Sequence, residues 1–407
     1  MNLLSHLRDI WNVSCIEFRR IFSDGGVVLL FCIATLLYPF IFGAVYSGEM
    51  VRNLPIAVVD ESHCEESQRF IRKLDATPEM NVCYDCNTLQ EAQTLMRMRK
   101  INGIVYFPAD YGNRLAHLET ARASLFCDMS SFLYYRSVLS GASAVLLDEI
   151  QHIETDRFGR TGITGENAEQ LVEPIPYDDV KLYISNGGFG SFLIPALLIL
   201  VLHQTLFLGM GILYGTSREQ NLSVESIPIH LRGRSVFRVV IGRALTYFAI
   251  YVPMTAIVLL LFPRLFQLPH IGNISSLVLF LIPFLLATIF FCMTICNFVR
   301  ARDTGVVVCI FFSVILVFLS GAVWPQAAMP KFWLYFSYIF PSTHGIQGFI
   351  RINSMGADLS QVKFEYLMLW AQAGVYFVTA TSIFRTLCRH KSVKGSDIHA
   401  DGLNPEA

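Results

Sequence analysis

The sequence predicts an α-helical polytopic membrane protein with six transmembrane helices and an inserted α/β extracytoplasmic domain. Three observations carry this. Hydrophobic residues make up 53% of the 407 and charged residues only 15%, against about 25% charged in a soluble protein. The apolar residues gather in six runs of the length that crosses about 30 Å of hydrocarbon. Charge is also divided by region: residues 48–184 carry 13 Lys+Arg and 21 Asp+Glu, a net −8, and the remainder carries 18 and 11, a net +7. One chain thus holds an acidic soluble block and a basic membrane block.

Residues 1–26 come first. Leu3, Leu7, Ile10, Trp11, Phe18, Ile21 and Phe22 recur at helical spacing, with Arg8, Asp9, Asn12, Arg19 and Arg20 between them. That pattern suits an amphipathic helix lying in the membrane interface with Trp11 at headgroup level. A soluble helix packed on another domain is the alternative. The first apolar run starts near Val27, late for a signal peptide, whose apolar core is about 7–15 residues, and it is read as an uncleaved span.

The apolar runs cover 27–46, 190–213, 239–262, 274–299, 304–323 and 364–384. Orientation follows from Lys and Arg in short loops. One side collects Arg8, Arg19, Arg20, Arg218, Arg232, Arg234, Arg238, Arg300, Arg302, Arg385, Arg389, Lys391 and Lys394; the other holds Arg264, Lys331, Arg351 and Lys363. The first side is cytoplasmic, so both termini lie inside and the acidic block, 47–187, lies outside. A cytoplasmic loop at 214–238 joins the second and third spans, an outer helical segment occupies 324–363, and a tail, disordered from Ser392, follows the last span.

Within the acidic block, strands are expected at 55–60, 81–84, 102–107 and 123–128. Helices are expected at 62–74, 88–99 and 130–153, and a Gly-rich loop at 159–173. Strands alternating with helices suggest a small α/β layer structure.

Signals for chemistry are sparse. There is no GxxxxGK(S/T), HExxH or GxSxG, so any ATP must be bound by another chain. No cofactor, catalytic or metal site is expected, and no basic cluster interleaved with aromatics points to nucleic acid. Asp303 and Glu219 stand isolated, which disfavours a membrane-embedded enzyme. Cys64, Cys83, Cys86 and Cys127 fall in the acidic block, either as one or two disulfides or as free buried thiols. His203 and Gln204 sit in mid-span, and Asn297 lies toward one end of the fourth span. Each is a candidate for a translocation path or for a helix–helix hydrogen bond. Pro253 and Pro283 are expected to kink their spans.

The segment 319–352 is the most distinctive. Gly321 and Pro325 end the fifth span, Pro330 opens a short helix over 331–340 that Pro341 closes, and a second helix runs over 342–352. Pieces too short to span suit a re-entrant hairpin buried in protein, with Trp324, Trp333, Tyr335 and Tyr338 in an aromatic belt.

Ser320-Gly321-Ala322-Val323-Trp324-Pro325, then Met329-Pro330, then Phe340-Pro341-Ser342-Thr343, resembles the signature of ABC-2 type transporter permeases. The acidic block resembles the drug-efflux-like branch of that family, with Val58-Val59-Asp60, Ser67-Gln68-Arg69, residues 75–78, Glu91-Ala92, Gly103-Ile104-Val105 with Pro108, and Cys127-Asp128 in order. The resemblance covers nearly the whole chain. It implies a separate ABC ATPase subunit, a second permease as homodimer or sibling heterodimer, and the bacterial inner membrane as location. A periplasmic adaptor fits the block's position. The helix over 3–22, including Trp11, and the loop around Arg218 and Glu219 would touch the ATPase. The function implied is outward movement of a hydrophobic or amphipathic substrate. A membrane sensor with a ligand-binding extracytoplasmic domain is the alternative, disfavoured by six spans without a sizeable cytoplasmic output domain.

Overall fold

The computed structural model describes residues 3–163, 170–172, 180, 182–184, 187–220 and 236–401. Most of the expected cytoplasmic loop, with Arg232 and Arg234, lies outside the described residues, as does part of the Gly-rich segment. The chain divides into two compact units, residues 1–47 with 181–407, and residues 48–180.

The first unit opens with helix α1, Leu3–Ser23. Asp24 caps the next helix, α2, Gly25–Val45, its Oδ1 accepting from the N–H groups of Gly26 and Val27. Leu29–Ala34 forms wide i→i+5 turns within α2, and the Thr35 hydroxyl donates to Leu30 O, five residues back, at 3.0 Å.

The inserted unit contains β1 Leu54–Asp60, α3 Glu65–Asp75, β2 Met80–Asp85, α4 Leu89–Arg97, β3 Gly103–Phe107, α5 Tyr111–Ala116, β4 Ser124–Cys127 and α6 Phe132–Arg160. The sheet order is β2-β1-β3-β4, with β1 parallel to both neighbours and β4 antiparallel to β3. Alternate β1 residues serve two cores. Ile56 and Val58 pack with Phe70 and Leu74 of α3 and Val138 and Val145 of α6. Ala57 and Val59 pack with Ala92 of α4 and Ile104. A strand covered on both faces reads as a continuous apolar run rather than an alternating one, hence IAVV. Cys64 and Thr88 cap α3 and α4 through Sγ and Oγ1. The α5 helix was not expected, and α6 runs seven residues past the expected end.

The first unit resumes with α7 Phe189–Glu219, α8 Val236–Leu265, α9 Ile274–Cys296, α10 Arg302–Leu319, α11 Lys331–Ser337, α12 Pro341–Asn353 and α13 Lys363–Asp401. Among the described residues, six helices are long and apolar enough to cross a membrane: α2, α7, α8, α9, α10 and the 363–389 part of α13. α7 is the central one, buried along most of its length. It packs tightly on α10 because Gly211 faces Gly305; a Cβ on Gly305 would lie 2.8 Å from Gly211 C. Small residues let spans approach this closely.

Several expectations are corrected. α7 stays helical through Glu219, since Thr216, Ser217, Arg218 and Glu219 continue its hydrogen bonding rather than opening a loop at 214. α10 ends at Leu319, four residues early, as Gly321 adopts φ +80°, a left-handed turn that suits glycine. Pro330 is the N-cap of α11, not its first residue, and α11 ends at Ser337. Pro341 opens α12 instead of closing α11, because its missing N–H is unneeded in a first turn. Past Ser392 the backbone of α13 stays helical to Asp401. In α8 a second set of wide turns, Ile257–Leu261, follows Pro253.

Candidate functional site

At one end of the helical unit, charged and hydroxyl groups tie α1 to the bundle. α1 lies against α8 because Gly242 has no side chain; a Cβ there would sit 2.8 Å from Ile10 O and 2.9 Å from Val13 Cβ. Along this contact Arg238 Nη1 donates to Asp9 Oδ2 at 2.9 Å. The Ser14 and Thr246 hydroxyls meet at 2.8 Å. Glu17 is the deepest group. Its Oε1 accepts from the Tyr247 hydroxyl at 2.7 Å, and its Oε2 lies 3.4 Å from Arg243 Nε. Glu17 and Arg243 are only 2% and 5% exposed. The Arg243 guanidinium also sits 5.6 Å from the Tyr214 ring centre and 5.0 Å from that of Phe384, so its charge is met by a carboxylate and two aromatic faces. Burying one partner alone would cost several kcal/mol.

A second tie sits where α2 begins. Arg302, opening α10, donates from Nη1 to Asp24 Oδ2 at 2.8 Å and from Nη2 to Asp24 Oδ1 at 3.2 Å. Its Nη1 also reaches Thr216 Oγ1 at 3.2 Å. Burial raises the Asp24 carboxyl, but hydrogen bonds from Arg302 and the α2 N-terminus outweigh it and hold the group below its ordinary range. Glu219 Oε1 accepts from the Arg302 backbone N–H at 3.2 Å. Arg218 donates to the Asn297 carbonyl.

Farther along the bundle, α2, α7 and α10 line a half-open cavity of about 310 Å³. Leu30, Val201, Leu208 and Ile310 make most of its wall apolar. Tyr38, Gln204, Thr205 and Ser313 supply the polar atoms. Thr205 is fixed from three sides: it donates to Val201 O at 2.7 Å, accepts from the Tyr251 hydroxyl at 3.1 Å and has the Thr35 hydroxyl oxygen 3.0 Å away. Gln204 Nε2 donates to Ser313 O across the cavity at 3.3 Å.

A protein-family model described as ABC-2 family transporter protein matches residues 26–381. The chain belongs to the ABC-2 family. Two curated relatives are similar over most of its length. The Probable multidrug ABC transporter permease YbhR of Escherichia coli K12 is 20% identical over 339 residues, 82% of this chain and 87% of that protein. The Linearmycin resistance permease protein LnrN of Bacillus subtilis 168 is 22% identical over 393 residues, 93% of this chain and 100% of that protein. These findings mark the ABC-2 chain as a multi-pass transport subunit.

Set on the ABC-2 fold, the residues singled out from sequence part company. Gln204 lines the cavity. Its neighbour His203 is turned away, fully buried, with its ring 5.5 Å from Phe291 and 6.4 Å from Phe207. Neither ring nitrogen has a hydrogen-bond partner among the described residues. Asn297 is the C-cap of α9, at the end of that span. Arg218 and Glu219 meet the α9–α10 turn, and Trp11 points outward from α1, 65% exposed. Around Gly321, Gln347 Nε2 donates to Ser320 O at 3.3 Å. Pro325 precedes a short 3-10 turn, Gln326–Ala328. α12 after Pro341 is a buried helix packed on α7 and α9; Gly345 and Gly348 take the rings of Phe284 and Phe280. α11 after Pro330 exposes Phe332, Trp333 and Tyr335.

The four cysteines of the inserted unit are free thiols, so the disulfide reading is not realised in this structure. Cys64 and Cys127 adjoin the α3 face of the sheet and Cys86 belongs to the α4 face, which separates them. Cys83 is exposed on β2. Burial pushes the Cys86 and Cys127 thiols up, away from the reactive thiolate.

Glu17, Arg243, Tyr247, Tyr251, Thr205, Asp24 and Arg302 were not picked out as site residues. Arg243 carried a legible signal: an ionisable residue inside an apolar run is a functional candidate by default.

Proposed function

We propose that the chain is the membrane-spanning permease subunit of an ATP-driven exporter, with ATP hydrolysed by a separate subunit. The observation that carries this is the polar clasp, in which α1 is pinned to α8 by Glu17 and Asp9 while its Trp11 face stays open. A helix so held can pass a push from an attached ATPase into the spans as a rigid body. Arg218, Arg238 and Arg302 lie near the helix ends beside α1, which fits a cytoplasmic placement of that end under the positive-inside rule. The inserted unit is then extracytoplasmic and both termini cytoplasmic, in a bacterial inner membrane.

The cavity between α2, α7 and α10 suits an apolar or amphipathic substrate, with Gln204, Thr205, Tyr38 and Ser313 as its polar contacts. Two permeases, identical or siblings, pair around the path, and the inserted unit offers a surface for a periplasmic adaptor. The drug-related names of YbhR and LnrN agree with this substrate class.

The test is co-expression with a candidate ABC ATPase from the same genome. The complex is expected to co-purify and to hydrolyse ATP faster with a drug panel than without. Absence of both sinks the proposal. Cysteines engineered at Glu65 and Glu119, both exposed, are expected to label only from the extracytoplasmic face; labelling from the cytosol alone rejects the orientation.

A further inference from the structure

Glu17 and the cavity belong to different parts of the bundle, yet one unbroken set of contacts joins them. The Tyr247 hydroxyl donates to Glu17 at 2.7 Å. The Tyr247 ring stands edge-on to Phe31, with centres 6.0 Å apart, and Phe31 stands edge-on to Tyr251 at 5.4 Å. The Tyr251 hydroxyl donates at 3.1 Å to Thr205 Oγ1, a cavity-lining atom. Phe31, Tyr247 and Tyr251 are fully buried. Phe31 occupies the notch left by Gly209, where a Cβ would lie 2.6 Å from its Cδ1. No step of this route is a loose surface contact, and close-packed aromatic side chains cannot yield independently.

We propose that Tyr247, Phe31, Tyr251 and Thr205 are positioning residues that carry a displacement of α1 to the wall of the cavity. A shift of Glu17 drags the Tyr247 hydroxyl, rotates the three rings as a set, and moves Thr205 through its bond to Tyr251. Arg243 branches from the same carboxylate to Tyr214 on α7 and Phe384 on α13, so α7, α8 and α13 receive the shift together with α2. The route rests on the exporter reading: α1 must be what the ATPase moves.

Physical adjacency alone does not show coupling, so the test measures coupling directly. Cys309 lines the cavity but is only 4% exposed, so the rate at which a thiol reagent reaches it reads opening of the cavity wall without a known substrate. The full permease with its ATPase is placed in lipid nanodiscs, and N-ethylmaleimide modification of Cys309 is timed by mass spectrometry with and without ATP plus vanadate. The wild-type rate is expected to change at least about threefold on trapping, within the range of coupling seen along such routes. Tyr247→Phe and Tyr251→Phe each remove one hydroxyl and keep the ring. Each is expected to cut that change by at least half while leaving the rate without nucleotide within about twofold of wild type. The double variant is expected to be no worse than either single one, since both lie on one path. A purely structural role would alter the rate without nucleotide and leave the response to trapping intact; that result overturns the proposal. Full response in both variants, or additive losses, overturns it too. An ATPase that binds and turns over while wild-type Cys309 shows no response defeats the route and leaves the exporter reading standing. An ATPase that never binds defeats the exporter reading, and the route with it.

Discussion

Placing a methyl group on Gly209 should unsettle the membrane unit, and the structure says by how much. A Cβ at that position lies 2.6 Å from Phe31 Cδ1 and 3.0 Å from its Cζ, while carbon atoms prefer about 3.5–4.0 Å. Phe31 Cε1 lies closer still, so the ring would have to retreat by about 1.5 Å. It cannot do so freely, because it is buried and meets Tyr247 and Tyr251 edge-on. Overpacking of this kind costs about 1–3 kcal/mol, and each disturbed ring pair forfeits up to about 1 kcal/mol more. Against this, alanine gains about 1 kcal/mol over glycine in a helix interior. The net expectation for Gly209→Ala is a loss of about 1–3 kcal/mol. Gly374→Ala is the internal control: nothing lies within 4 Å of its Cβ, so only the helical gain remains, up to about 1 kcal/mol. The assay is unfolding of the full chain in mixed detergent micelles titrated with SDS, followed by circular dichroism at 222 nm. Gly209→Ala equal to or more stable than Gly374→Ala would refute the packing argument.

Other perturbations test separate links. In the inserted unit burial raises the Glu149 carboxyl, but Arg69 at 2.8 Å and Lys73 at 2.9 Å outweigh it and hold the group below its ordinary 4.5. A depressed folded value means that this stabilisation is complete above pH about 4.5 and is lost as pH falls below it. Hydrogen-exchange protection of α3 and α6 should therefore drop on acidification, and Glu149→Gln should flatten that dependence while lowering stability at neutral pH by about 2 kcal/mol. Asp24→Asn keeps the cap of α2 but removes the charge facing Arg302, which is partly exposed; SDS titration should show a loss of about 0.5–1 kcal/mol, and Asp24→Ala about 1 kcal/mol more. Gln204→Leu should change which amphipathic drugs an expressing strain resists, by about tenfold for those carrying a matching polar group; an unchanged resistance profile would remove Gln204 from the path.

The spans were legible because bilayer thickness imposes a length that no soluble helix needs, and each apolar run of that length became a helix within a few residues. Their ends were less legible. Residues 216–219 look polar enough for a loop, yet the helix continues because Arg218 and Glu219 find partners on the α9–α10 turn. The sheet was legible from IAVVD and GIVYF, which are short, β-branched and bounded by turn residues. α5 was not, since six residues leave no room for periodicity. Within the site, sequence could name the pair His203 and Gln204 but not separate them. Adjacent residues on a helix point about 100° apart, and when every face of α7 is apolar no pattern says which one meets a cavity. Glu17 and Arg243 are 226 positions apart in the sequence, and nothing local to either one announces the other.

The wide turns in α2 and α8 give those helices slack. Each holds one more residue than a regular turn needs, and such a surplus can be handed along to the next turn without breaking the helix. Passing it through Leu29–Ala34 would swing the intervening side chains, Phe31 among them, by about 100°. A one-residue deletion inside that stretch should simply draw in the slack and leave α2 spanning. The same deletion in α9, which runs from Ile274 to Cys296 without wide turns, has no surplus residue to draw on. It would turn every side chain beyond the cut by about 100° and carry lipid-facing groups such as Val278 and Leu279 into the core.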